Sequence, residues 1–163
     1  MDVHKSSRHT KIIGSFGENI ICNLLSRSGF ETVLVDHTGL DVIASDPSTN
    51  QRIGITIKSR TRNIGTERTA VNIFRNKRED RTKLLKACEA FSCKPWIGIY
   101  VETANFADVY LTSLDNYDSK YCGREKRTVD TWKMREKDVR LYSEDPLVKH
   151  IRINFDAANW YWQ

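Results

Sequence analysis

Asp41, Thr56 and Lys58 carry side chains that together could act on an anion, and all lie in the stretch VDHTGLDVIASDPSTNQRIGITIKSRTR, residues 35–62. A carboxylate offers oxygens to a cation, and an ammonium offers charge to a phosphate. The sequence around them predicts the support they need. Apolar and β-branched residues flank DPSTNQ, a cluster of turn formers, so the stretch reads as two strands joined by a turn. Folding about the midpoint between Ser48 and Thr49 sets Asp41 opposite Thr56, Val42 opposite Ile55, and Ala44 opposite Ile53. Side chains alternate with period two, so Val42, Ala44, Ile53, Ile55 and Ile57 share an apolar face, and Asp41, Gly54, Thr56 and Lys58 share the other. Cross-strand neighbours have Cβ atoms roughly 5 Å apart, close enough for Asp41, Thr56 and Lys58 to touch one bound ion or one phosphate. The plain alternative is a solvent-facing ion pair between Asp41 and Lys58, contributing at most about 1 kcal/mol.

Helices and strands on either side of the hairpin are needed to hold it. Residues 12–28 predict a helix in which Ile13, Phe16, Ile20 and Leu24, with Ile21 and Leu25, recur at three and four, and Gly29 is its stop. Glu18 lies on the flank shared with Ser15, Cys22 and Leu25. It has two readings, a functional acid or the far end of a Ser15-x-x-Glu18 capping box. Residues 30–35 form a first strand ahead of the hairpin. A basic loop follows Lys58, then a short strand near 70–74. The helix expected over 76–91 has Leu84, Ala87, Cys88 and Phe91 as its buried stripe and Lys77, Arg78, Arg81 and Lys86 outside. WIGIYV reads as a strand covered on both faces, paired through a turn at ETAN with FADVYLTS. Residues 115–127 read as loop or short irregular helix, residues 131–142 are ambiguous between helix and strand, and Ile151, Ile153 and Phe155 alternate in a last strand.

At 163 residues, with 39% hydrophobic and 29% charged residues, the chain has the composition of one soluble globular domain over 1–163. No repeat or linker marks a second domain. No apolar run approaches the roughly 20 residues of a membrane span, and nothing in MDVHKSSRHTK resembles an export signal, so a cytoplasmic protein is expected. Cys22, Cys88, Cys93 and Cys122 are too scattered for a disulfide framework and contain no C-x-x-C pair for zinc. The charge is concentrated: residues 58–94 carry 11 basic and 4 acidic residues, a surplus of 7, while the chain as a whole is +5. Such a block attracts a polyanion, or else it is a solvated basic face. Trp160, Tyr161 and Trp162 end the chain as an aromatic cluster suited to stacking on bases or to docking on protein.

Gly17-Glu18 in an N-terminal helix, Gly39-x-Asp41 opening a strand, and a strand running through Thr56-Ile57-Lys58-Ser59-Arg60 into a basic segment together resemble the PD-(D/E)xK nuclease superfamily. The restriction-endonuclease-like and Holliday-junction-resolvase-like branch is the most similar. The resemblance covers residues 13–62 in motif terms and an α-β-β-β-α-β order over a core of about 13–112, leaving 113–163 as a C-terminal extension. It implies an α/β fold, a mixed central sheet flanked by helices, with the site on the hairpin.

The resemblance also implies a metal-dependent nuclease acting on DNA in repair, recombination or defence. Asp41 matches the first carboxylate, a ligand for Mg²⁺ or Mn²⁺. Lys58 matches the lysine that assists attack on phosphate, and Glu18 the helix acid that joins the metal site in resolvase-like members. Arg60, Arg62 and Arg78 are the expected grips on the phosphate backbone. Thr56 departs from the pattern, standing where an Asp or Glu is expected, as an auxiliary or water-mediated ligand. Glu18 supplies the missing charge, an acid such as Asp36 or Glu102 has moved into the role, or the site no longer binds metal usefully. The last case gives the alternative function, a catalytically degenerate nucleic-acid-binding module. A homodimer is left open, since cutting two strands calls for two sites.

Overall fold

The turn formers at 46–50 join two antiparallel strands in the register expected, with Val42 opposite Ile55, Ile43 opposite Gly54 and Ala44 opposite Ile53. The turn is closed by Asp46, whose carboxylate accepts from Ser48 N at 2.9 Å, Ser48 Oγ at 2.7 Å and Thr49 Oγ1 at 2.9 Å, while Asn50 takes a positive φ of 57°. The computed structural model describes residues 3–123 and 128–156. Its elements are α1 (His9–Arg27), β1 (Glu31–His37), β2 (Leu40–Asp46), β3 (Gln51–Thr61), β4 (Val71–Phe74), α2 (Lys77–Ala90), β5 (Lys94–Glu102), β6 (Phe106–Ser113), α3 (Leu114–Lys120), β7 (Asp130–Trp132), α4 (Glu136–Glu144) and β8 (Lys149–Asn154). Six strands form a mixed sheet in the order β1-β2-β3-β5-β6-β8. Only β3 and β5 run parallel, and β4 with α2 makes the crossover that a parallel pair requires. A second sheet pairs β4 with β7.

Each face of the large sheet has its own core. Val42, Ala44, Ile53, Ile55 and Ile57 pack with Ile13, Ile21 and Leu25 of α1. On the other face Leu84, Ala87 and Cys88 of α2 pack with Ile97, Ile99 and Val101 of β5, and Trp132 and Tyr142 extend that core. WIGIYV is buried from both sides, as its uninterrupted apolar run predicts.

Four local expectations are corrected. The buried stripe of α1 is Ile13, Gly17, Ile21 and Leu25, whereas Phe16 is 49% exposed and rests edge-on against Tyr100. The cause is Gly17: a Cβ there would lie 2.0 Å from Ser59 Oγ, so the helix touches the sheet along its glycine. The capping box does not form, because α1 begins at His9 with Arg8 as its cap residue and Ser15 falls mid-helix. On α2, Lys77 and Arg81 turn inward instead of facing solvent. Arg81 Nε donates to Asp130 Oδ2 at 2.6 Å and its two terminal nitrogens donate to Asp118, while Lys77 Nζ lies 3.5 Å from Asp130 Oδ1. Asp130 is 1% exposed, and a buried carboxylate needs such partners. Phe91, expected inside, is 39% exposed just past the helix end.

The ambiguous stretch after residue 130 resolves into a strand followed by a helix, β7 and α4, and the segment after Ser113 opens with α3. The four cysteines are free thiols. The aromatic cluster of Trp160, Tyr161 and Trp162 lies outside the described residues. Among the described residues no helix is long and apolar enough to cross a membrane.

Candidate functional site

Asp41 follows a turn that only glycine fits. Gly39 has φ +96°, and a Cβ on it would sit 2.6 Å from the carbonyl carbon of Lys83 in α2. The β1–β2 turn is thus pressed against the backbone of α2. Two residues on, Asp41 Oδ2 accepts the Ile57 amide at 2.5 Å and lies 3.4 Å from the Thr56 hydroxyl, which donates to it. Lys58 Nζ in turn donates to Thr56 Oγ1 at 3.4 Å. Carboxylate, hydroxyl and ammonium therefore form one chain, with Thr56 as the link.

These three line a cleft of about 320 Å³. The β3 strand forms its floor, and α2 and the segment through β4 form its walls, bringing in Arg60, Asn72, Arg75, Asp80 and Lys83. Arg60 is half-buried and donates to Ser59 O at 2.6 Å. Burial lowers its pKa, and the nearby charge of Arg75 lowers it further. Burial likewise lowers that of Arg62, with Arg60 adding to the effect. Like charges held together in this way are relieved by an anion. Among the described residues no carboxylate pairs with Arg60, Arg62, Arg75 or Arg78.

The remaining residues singled out in the sequence are placed as follows. Glu18, half-buried on α1, does not line the cleft, yet its pKa is raised first by burial and then by the charge of Asp41, with Lys58 pulling the other way. It is therefore within electrostatic reach of both. Arg62 is occupied in donating to Thr69 O and Ala70 O, at 3.1 and 2.9 Å. Arg78 lies in a neighbouring groove with Asn76 and Lys86. Neither acid considered as a relocated ligand lines the cleft. Asp36 is exposed beside the irregularity in β1, and Glu102 accepts from Thr61 Oγ1 at 2.8 Å and Tyr100 OH at 3.0 Å. Asn72, Arg75, Asp80 and Lys83 are cleft residues that sequence reasoning missed. Only the basic surplus over 58–94 hinted at two of them.

Asp41 Oδ1 and the Thr56 hydroxyl are hard oxygen donors in the cleft, and the Glu18 carboxylate outside it is within electrostatic reach of Asp41. Among the described residues there is no cluster of three or more His, Cys, Asp or Glu able to hold an ion by themselves. Mg²⁺ does not need one: it binds through one or two carboxylates and keeps waters and substrate phosphate as its other ligands. The donor set fits that requirement.

A mixed sheet with α1 on one face and α2 on the other, and a polar cleft at the hairpin, is the arrangement expected of a restriction-endonuclease-like fold. The same architecture is found in the 1.6 Å structure of Archaeoglobus fulgidus Hjc, a Holliday junction resolvase from an archaeal hyperthermophile. The match has a TM-score of 0.54 over 78% of this chain and 88% of that one. At 12% identity the likeness is one of fold. No protein-family model and no curated protein sequence matches.

Proposed function

We propose that the protein is a divalent-metal-dependent nuclease that hydrolyses phosphodiester bonds in DNA. The observation that carries this reading is the linked Asp41–Thr56–Lys58 array, set in a cleft whose rim holds Arg60 and Arg75. Asp41 would hold Mg²⁺ or Mn²⁺, with Glu18 contributing charge from α1 and Thr56 as an auxiliary ligand. When bound, the ion offsets charge gathering on the phosphate and makes water a better nucleophile. Lys58 stabilises the developing charge from the other side of Thr56. Arg60 and Arg75 seat the phosphate backbone, with Arg62 and Arg78 extending the basic surface on either side. The restriction-endonuclease-like fold supports a DNA substrate in repair, recombination or defence, and a cytoplasmic setting accords with it.

The test is cleavage of labelled single-stranded, duplex and branched DNA in Mg²⁺ or Mn²⁺. The proposal expects products that vanish with a chelator and in Asp41→Asn and Lys58→Met, and full activity in both variants would reject it. Thr56 favours a second reading, because a hydroxyl stands where the resemblance expects a carboxylate. A catalytically degenerate binding module would bind DNA in a salt-dependent way without metal and cut nothing with any ion.

A further inference from the structure

Thr56 leaves the cleft short of a charge, and the same cleft contains an acid from a different element. We propose that Asp80 of α2 supplies the carboxylate missing at Thr56, so that the cleft presents Asp41 from the sheet and Asp80 from the helix to one divalent cation. This rests on the metal-dependent reading above.

Asp41 and Asp80 flank a direct backbone contact. The position of a Cβ on Gly39 is 2.6 Å from Lys83 C and 2.9 Å from Leu84 N, so the start of β2 and the middle of α2 touch. Asp41 lies two residues beyond that contact on one side, and Asp80 lies one helical turn before Lys83 on the other. Both line the cleft of about 320 Å³ together with Thr56 and Lys58. That volume holds a partly hydrated ion and a phosphate group.

The chemistry of the α2 acids singles out Asp80. Its Oδ2 accepts from Asn76 N at 3.1 Å, which fixes the side chain, and its Oδ1 accepts no hydrogen bond among the described residues. Glu79 beside it is already committed, to Lys83 Nζ at 2.5 Å and to Asn76 Nδ2 at 3.0 Å. It does not line the cleft but faces the groove occupied by Arg78 and Lys86. An acid at this point of a helix has an ordinary role, complementing the helix dipole, and the experiment must separate the two.

Asp80→Asn does so, because the amide keeps an acceptor for Asn76 N and removes only the charge. Mn²⁺ is titrated calorimetrically into the wild type, Asp80→Asn, Glu79→Gln, Asp41→Asn and the double variant Thr56→Asp/Asp80→Asn, with circular dichroism confirming that each is folded. The proposal expects at least about tenfold weaker Mn²⁺ binding in Asp80→Asn and no change in Glu79→Gln. In the double variant, where the carboxylate is moved to the strand, affinity should return to within about threefold of the wild type. Wild-type affinity in Asp80→Asn alongside a loss in Asp41→Asn would overturn the role of Asp80 and leave the nuclease reading standing. A loss in Asp80→Asn that the moved carboxylate does not restore would overturn the replacement. A wild type that neither binds Mn²⁺ nor cuts DNA would overturn both.

Discussion

Asp41→Asn and Asp41→Ala should differ in stability while agreeing in activity, because the carboxylate has a structural partner as well as a chemical one. Its Oδ2 accepts the amide of Ile57, a residue only 7% exposed, at 2.5 Å, a hydrogen bond to a charged group. Bonds of that kind contribute about 1.5–3 kcal/mol, and neutral ones about 1 kcal/mol. Asparagine can still accept the amide, so Asp41→Asn should cost about 1 kcal/mol. Alanine leaves the amide unpaired in a largely buried strand, and Asp41→Ala should cost about 2–3 kcal/mol. Urea denaturation gives both values, with an unchanged m-value showing that only stability has moved. Amide exchange of Ile57 should accelerate most in the alanine variant. Both variants should lose cleavage equally, since both lack the charge. An Asp41→Ala protein within about 0.5 kcal/mol of the wild type would refute the structural half of the argument, and cleavage by Asp41→Asn at the wild-type rate would refute the chemical half.

Three further outcomes are expected. Gly39→Ala meets backbone atoms of Lys83 at 2.6 Å and needs a left-handed φ, so it should lose about 2–4 kcal/mol in urea titration and loosen α2 from β2. Arg81→Ala strips the shortest ion pair from the buried Asp130 and should cost about 3 kcal/mol, the low end for such a truncation because Lys77 remains nearby; thermal and urea melts read it. Glu18 has its pKa raised, by burial and by Asp41, so the folded state binds its proton more tightly than the unfolded state does. That contribution is present in full below the unfolded pKa and disappears as pH rises through the folded one. Glu18→Gln should therefore stabilise the protein at neutral pH, by less than about 1 kcal/mol after solvent screening, and the gain should vanish in acid. A gain that persisted below pH 3 would show that charge is not the cause.

The parts of the fold that were legible in the sequence are those written in local pattern. Alternation in DVIAS and RIGITIK, with Asp46 and Asn50 in the turn, specified the β2–β3 register, and with it the sharing of one face by Asp41, Thr56 and Lys58. WIGIYV declared a doubly covered strand through composition alone. On α1, Ile13, Ile21 and Leu25 are buried as their spacing predicts, while Phe16 is not, because contact with the sheet is governed by the absence of a side chain at Gly17. Lys77 and Arg81 looked like solvent-facing cations since Asp130, their partner, comes 49 residues after Arg81 and nothing local announces it. Arg75 and Asp80 reach the cleft through the crossover of β4 and α2, a long-range arrangement that periodicity does not encode.

In the proposed function, Asp41 and Lys58 face a cleft that would hold a divalent cation against a phosphate. Crystals soaked in Mn²⁺ and measured for anomalous scattering test it most directly. An anomalous peak is expected in the cleft within coordinating distance of Asp41 Oδ1, absent from crystals of Asp41→Asn. A strong peak elsewhere with none at Asp41, or an unchanged peak in Asp41→Asn, would contradict it.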